Sequence, residues 1–123
     1  MKLMIVDDHP AARDTIRQLL SAPGVTICEC ACGEEAIGAA ESFKPDWVTM
    51  DVRMGELDGF KTTGLLRNKH PAARVVIVTN DDSPQVRKAA FAAGAVGYVC
   101  KEKFDELREL ILCRTASIEN GQE

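Results

Sequence analysis

The sequence predicts an α/β domain: a three-layer sandwich in which a five-stranded parallel sheet of order 2-1-3-4-5 is covered by five helices. Three observations carry that expectation. Short apolar runs alternate with amphipathic stretches five times. Alternation at this spacing implies right-handed crossovers and a parallel sheet covered on both faces. Acidic, hydroxyl or ammonium side chains stand where strands one, three, four and five end.

Lys2 to Val6 reads as the first strand. His9-Pro10 sets the start of the helix that follows, because proline suits the first helical position. Ala12, Ile16, Leu19 and Leu20 then fall at helical spacing, and Pro23-Gly24 closes that segment. Val25 to Cys30 is the second strand. Gly33 leads into a helix with Ala36, Ile37, Ala40 and Phe43 on one side, ended by Lys44-Pro45. Asp46 to Met50 is the third strand, and Asp51 to Gly59 a polar, glycine-bearing loop. The helix from about Phe60 to Lys69 is the weakest by propensity, because of Thr62, Thr63 and Gly64. Arg74 to Val78 is a buried strand. Ser83-Pro84 caps a fourth helix with Val86, Ala89, Ala90 and Ala93 inward, ended by Gly94. Val96 to Cys100 is the fifth strand, and Phe104, Leu107, Leu110 and Ile111 mark the last helix. The 123 residues form one domain with its core over about residues 2–114, and residues 115–123 are expected to fray.

Composition excludes several classes. No apolar run approaches the roughly 18 residues a membrane span needs. Met1 to Val6 is too short for a signal-peptide core and meets acid at once, so a cytoplasmic protein is expected. A net charge of -4, with fifteen scattered Lys and Arg, argues against direct nucleic-acid binding by this domain. Five Cys is an odd count, which precludes a complete disulfide framework in a monomer. Cys28, Cys30 and Cys32 alternate, so a strand would place them on one face. Zinc spacing is absent, and reduced thiols filling a sheet face are the expectation.

The chemistry lies at the strand ends. Strand one ends in Asp7-Asp8, strand three in Asp51, strand four in Thr79 and strand five in Lys101. The predicted strand order puts the functional crevice at the carboxyl ends of strands one and three. Carboxylates gathered there repel: one pair at about 4 Å costs on the order of 4 kcal/mol at an effective dielectric of 20. A hard divalent cation such as Mg²⁺ would relieve that repulsion. With a phosphoryl group in place, Lys101 would neutralise its oxygens, the Thr79 hydroxyl would hydrogen-bond one, and an aspartate nucleophile would give an acyl phosphate. Each residue also has a plainer reading. Asp7 and Asp8 could cap the first helix, Asp51 could begin a turn, Thr79 could end a β-branched strand, and Lys101 could be a solvated lysine. The coincidence of all of them on one edge favours the site.

The runs Ile5-Val6-Asp7-Asp8-His9-Pro10, Asp51-Val52-Arg53-Met54 through Leu57-Asp58-Gly59, Val75-Val76-Ile77-Val78-Thr79 and Gly94-Ala95-Val96-Gly97-Tyr98-Val99-Cys100-Lys101 occur in order and correctly separated. In these the chain resembles the receiver domain of bacterial two-component response regulators, over about residues 2–114. The resemblance implies the CheY-like, flavodoxin-like fold. It implies Asp51 as the residue phosphorylated from a histidine kinase phosphohistidine. It implies Asp8 as a direct Mg²⁺ ligand, Asp7 mostly through water, and the Arg53 backbone carbonyl as a further ligand. Thr79 and Tyr98 resemble the paired switch residues, and the face of helix four, strand five and helix five would carry the signal. The implied partners are a sensor histidine kinase or phosphotransfer protein, and a homodimer formed on phosphorylation. Such a protein catalyses only its own phosphorylation and dephosphorylation and is otherwise not an enzyme. The Asp-Asp-His-Pro opening is similar to receivers that precede a helix-turn-helix domain.

Three positions depart from the family. Gly55 stands where proline usually follows the methionine, which predicts a looser loop. Asn80 follows the threonine where a small residue is typical, and would hinder entry of water or phosphodonor. Glu102 replaces a proline that commonly forms a cis bond, which before Glu102 would cost about 3 kcal/mol; this bears on where Lys101 sits. The competing expectation is a pseudo-receiver, the same fold used as a phosphorylation-independent interaction module. A flavin or nucleotide binder is disfavoured because Asp7-Asp8-His9-Pro10 would repel a phosphate. A small-substrate phosphatase would need an added acid–base residue and a lid, and neither is evident.

Overall fold

The computed structural model describes residues 1–113. Five strands, β1 (Lys2–Val6), β2 (Thr26–Cys30), β3 (Trp47–Met50), β4 (Arg74–Thr79) and β5 (Gly97–Cys100), form one parallel sheet of order β2-β1-β3-β4-β5. Between them run α1 (Pro10–Leu20), α2 (Gly33–Phe43), α3 (Gly59–Lys69) and α4 (Pro84–Ala92). The expected order and alternation are both observed.

Alternation of side chains along each strand splits the core in two. Met4, Val6, Val48, Met50, Val75 and Ile77 face α2, α3 and α4, packing on Ala36, Ala40, Leu66 and Ala90. Leu3, Ile5, Trp47, Val76, Val78 and Val99 face the other way, onto Ile16 and Leu20 of α1 and onto Leu107 and Ile111. Strands buried on both faces must read as continuous apolar runs, as β1 and β4 do.

The last helical segment differs from the single helix expected. A 3₁₀ turn (Lys101–Lys103) leads into α5 (Phe104–Arg108), which relaxes into a π-type turn over Glu109–Cys113. Leu107 and Ile111 are nonetheless fully buried. Helix α3 begins at Gly59, one residue early, because the Asp58 carboxylate caps it by accepting from the Lys61 amide at 2.8 Å. Its Thr62 and Thr63, poor helix formers, are buried, and the Thr62 hydroxyl donates to the Asp58 carbonyl at 2.8 Å. Packing overrides propensity there.

Cys28 and Cys30 lie on the α2 side of the sheet, with Cys30 2 % exposed, whereas Cys32 has left the strand and stands at the position before α2, with no capping bond from its side chain. Cys28, Cys30, Cys32 and Cys100 are free thiols. Burial, with Cys28 adding to it, pushes the Cys30 thiol up to about 12, so it is inert packing. Among the described residues no helix is long and apolar enough to cross a membrane. The expectations for residues 114–123, including the frayed tail, fall outside the described residues.

Candidate functional site

Main-chain bonding of the sheet places the carboxylates. The Asp7 amide donates to the Cys30 carbonyl at 3.1 Å, and the Asp51 amide to the Val6 carbonyl at 3.0 Å. Both residues therefore leave the sheet at its carboxyl edge, side by side, as adjacency of β1 and β3 requires. Gly59 holds the loop behind Asp51: its amide donates to the Val52 carbonyl at 2.8 Å, and a Cβ there would stand 2.1 Å from the Asp51 carbonyl oxygen. Any side chain at 59 would push that loop away.

Asp7 is 1 % and Asp51 6 % exposed, whereas Asp8 lies open at the rim. The Lys101 ammonium sits 2.9 Å from Asp7 Oδ2 and 3.3 Å from Asp51 Oδ1. No described peptide bond is cis, and Lys101 reaches both carboxylates through the 3₁₀ turn that carries Glu102. Burial, then the Asp7 carboxylate, raises the Asp51 carboxyl above its ordinary range, while Lys101 pulls it partly back. Burial opposes the charge on Lys101, but the hydrogen bond to Asp7 and the charge of Asp51 outweigh it, and the ammonium titrates above its ordinary value.

A cleft of about 280 Å³ opens over these groups, lined by His9, Asp51, Arg53, Thr79, Asn80, Asp81 and Lys101. Every strand-end residue expected from sequence is thus in or beside one site. Asn80 is exposed on its wall. Gly55 adopts φ +64 with no heavy atom near its Cβ position. The loop accordingly follows a left-handed path that a proline could not take.

Sequence reasoning gave no role to His9 or Asp81. His9 Nδ1 lies 2.8 Å from Asp8 Oδ1 and 3.2 Å from Asp7 Oδ1, and donor atoms of Asp7, Asp8, His9 and Asp51 all fall within 4.8 Å of one another. The only available signal was adjacency in the Asp-Asp-His-Pro run. Asp81 is held between Thr79 and Tyr98: its amide donates to the Thr79 hydroxyl at 3.2 Å, and its carbonyl accepts from the Tyr98 hydroxyl. An Asp-x-Ser turn, in which the Ser83 amide donates to Asp81 Oδ1 at 3.0 Å, was its signal.

The donor set fits a hard divalent cation. Three carboxylates face one ammonium, leaving net negative charge around a buried Asp7, and oxygen donors at this spacing suit an ion of the Mg²⁺ type. Chemically, the site combines a desolvated carboxylate, a paired ammonium and a hydroxyl around one cleft.

Comparison with known proteins agrees with this geometry. The sequence model of the response regulator receiver domain matches residues 3–112. The nitrate/nitrite response regulator NarL of Escherichia coli K12 is 34% identical over 102 residues, covering 81% of this chain and 47% of that protein. The response regulator GacA of Pseudomonas aeruginosa is 35% identical over 103 residues, covering 82% and 48%. The chain thus spans about half the length of these relatives. Among solved structures, a two-component response regulator of the LuxR family from Aurantimonas superposes with a TM-score of 0.83 at 34% identity, covering 99% of this chain and 86% of that one. A DNA-binding response regulator of the same family from Staphylococcus aureus gives 0.82 at 28%, covering 91% and 96%.

Proposed function

This chain belongs to the response regulator receiver family, and from that premise we propose that Asp51 accepts a phosphoryl group from the phosphohistidine of a sensor kinase or phosphotransfer protein. The observation that carries the reading is the Lys101 ammonium bridging Asp7 and Asp51 at 2.9 and 3.3 Å beneath an open cleft. An Asp51 carboxylate oxygen attacks phosphorus in line with the departing imidazole nitrogen. The P–O bond forms as the P–N bond breaks, the imidazole takes up a proton, and an acyl phosphate results. Lys101 would then turn its charge to the phosphoryl oxygens, and the Thr79 hydroxyl, whose lone pair is engaged by the Asp81 amide, has its own proton free to donate. Asp8, Asp7 through water, Asp51 and the Arg53 carbonyl would hold Mg²⁺, which supplies charge neutralisation at the transferring group. Apart from this self-directed chemistry the domain is not an enzyme.

Output is assigned to the face of α4, β5 and α5. There a hollow of about 100 Å³ is lined by Asp82, Arg87, Tyr98, Cys100, Lys103 and Glu106, and the Arg87 guanidinium stacks 5.2 Å from the Tyr98 ring centre. Tyr98 connects that face to the cleft through Asp81. Phosphorylation-dependent self-association through this face, a cytoplasmic location and absence of direct nucleic-acid contact by this domain complete the reading.

Intact-protein mass after incubation with acetyl phosphate and Mg²⁺, beside Asp51→Asn and a metal-free control, tests it. One phosphoryl adduct that needs Mg²⁺ and vanishes in the variant is the expected result. Its absence in a wild-type chain that binds Mg²⁺ would transfer the assignment to a phosphorylation-independent interaction module, with Asn80 the first residue to replace.

A further inference from the structure

One member of the carboxylate cluster has no part in that chemistry. His9 is the N-cap residue of α1, yet its side chain makes no capping hydrogen bond. Its ring turns back over the strand end, with Nδ1 2.8 Å from Asp8 Oδ1 and 3.2 Å from Asp7 Oδ1. We propose that His9 Nδ1 is a direct ligand of the divalent cation held by Asp7, Asp8 and Asp51, and that it biases the site toward Mn²⁺ over Mg²⁺. The inference rests on the cation site of the receiver reading and specifies its donor set.

Three observations carry it. First, the spacing is that of donors sharing an ion: bonds of about 2.1 Å in octahedral geometry set neighbouring donors roughly 3.0 Å apart. The two Nδ1–oxygen separations bracket that distance. Secondly, the ring is placed by the backbone. The His9 amide donates to Asp7 Oδ1 at 2.9 Å, Pro10 fixes the start of α1, and Arg13 Nη1 holds the Asp7 carbonyl at 2.6 Å. Thirdly, three carboxylates against one ammonium leave the cluster short of positive charge, and the ring nitrogen lies against two of those carboxylates.

An imidazole nitrogen changes which ion such a site prefers. Mg²⁺ is hard, favours oxygen and keeps several waters, so it gains little from a nitrogen donor. First-row transition ions bind imidazole well, with Mn²⁺ the member whose carboxylate chemistry stays close to that of Mg²⁺. His9 is 67% exposed, so it would close the cation's outer side while the buried carboxylates hold the inner one.

The test is titration of the chain with MnCl₂ and with MgCl₂ at about pH 8, where an ordinary imidazole is neutral, for wild type, His9→Ala and His9→Gln. Mn²⁺ occupancy is followed by electron paramagnetic resonance, and directly bonded nitrogen by electron spin echo modulation on ¹⁵N-histidine-labelled protein. The other histidine, His70, lies beside Glu41, so its signal does not interfere. The expected result is a histidine nitrogen coupling in wild type that both variants lose, with Mn²⁺ affinity falling about tenfold and Mg²⁺ affinity changing less than about twofold. Mn²⁺ bound without that coupling, or with equal affinity in His9→Ala, overturns the inference while leaving Mg²⁺ binding and the receiver reading intact. If neither ion binds the wild type, the cation site itself fails and the inference falls with it.

Discussion

The hydroxyls of Thr79 and Tyr98 bracket a single residue: Thr79 accepts from the Asp81 amide at 3.2 Å, and Tyr98 donates to the Asp81 carbonyl. Thr79 ends β4 and Tyr98 lies on the neighbouring strand, where it pairs in register with Ile77. The turn that launches α4 is therefore tied to both strands. Helix α4 otherwise has little anchorage, since Ala90 alone of its side chains is fully buried. A change at the cleft that shifts either hydroxyl would reach α4 directly.

Tyr98→Phe should accordingly loosen this turn. Losing one hydrogen bond at a half-buried carbonyl costs about 1 kcal/mol. Thr79→Ala should cost a similar amount, and the double variant less than the sum, because both bonds order the same residue. Urea midpoints give the energies, and amide hydrogen exchange at residues 80–83 gives the location. Unchanged exchange there in Tyr98→Phe would show that the clasp does not hold α4.

The charge of Asp51 carries a stability cost. Burial, then the Asp7 charge, raises its carboxyl above the usual range despite Lys101. The folded chain thus binds this proton more readily than the unfolded one. Stability falls as pH rises from the ordinary value of 3.8 through the raised folded value, and the cost is fully present at neutral pH. Asp51→Asn keeps the shape and removes the charge. It should raise stability at neutral pH by about 1 kcal/mol, roughly 4 °C in Tm, with the gain fading as pH falls through that window. A Tm difference independent of pH would point to packing instead.

Most of this site could be read from sequence because it is built from strand ends, and strands buried on both faces announce themselves as apolar runs. Once β1, β3, β4 and β5 were placed, the positions of Asp7, Asp51, Thr79 and Lys101 followed from topology alone. What escaped depends on turns and side-chain direction. The 3₁₀ turn that aims Lys101, the breakup of the last helix and the orientation of the His9 ring have no periodic signature. Thr62 and Thr63 lower the intrinsic helix propensity of α3, yet the expected helix forms because both residues are buried. Cys32 followed the alternation of β2 in sequence but lies beyond the strand, at the position that leads into α2.

Gly55 offers a test of the loop that follows Asp51. At φ +64 it occupies the left-handed region, whereas proline is locked near −65°. Restoring the family's usual residue with Gly55→Pro should therefore destabilise the chain by more than about 1 kcal/mol rather than stiffen it. Gly55→Asn, which tolerates left-handed geometry, should cost a few tenths at most. Urea denaturation distinguishes the two. A stabilising proline would mean that the loop readily adopts a different path.

Lys101 and a cation held at this site would act on the same carboxylates, which sets their relationship. In the structure the ammonium engages Asp7 Oδ2 and Asp51 Oδ1, and Asp7 is almost fully buried. Lys101→Ala takes the ammonium partner from that buried carboxylate, whose Oδ1 alone keeps the His9 amide, so the variant should lose about 2 kcal/mol at neutral pH in the presence of a chelator. Removing one positive charge also deepens the negative potential at the cation site, so Mg²⁺ should bind about tenfold more tightly and offset much of the loss. Phosphorylation by acetyl phosphate should nevertheless fall sharply, because no ammonium remains to meet the phosphoryl oxygens. Calorimetric Mg²⁺ titration beside thermal melts with and without the ion separates these effects. Weaker Mg²⁺ binding in the variant would show instead that Lys101 draws Asp7 and Asp51 into the positions the cation needs.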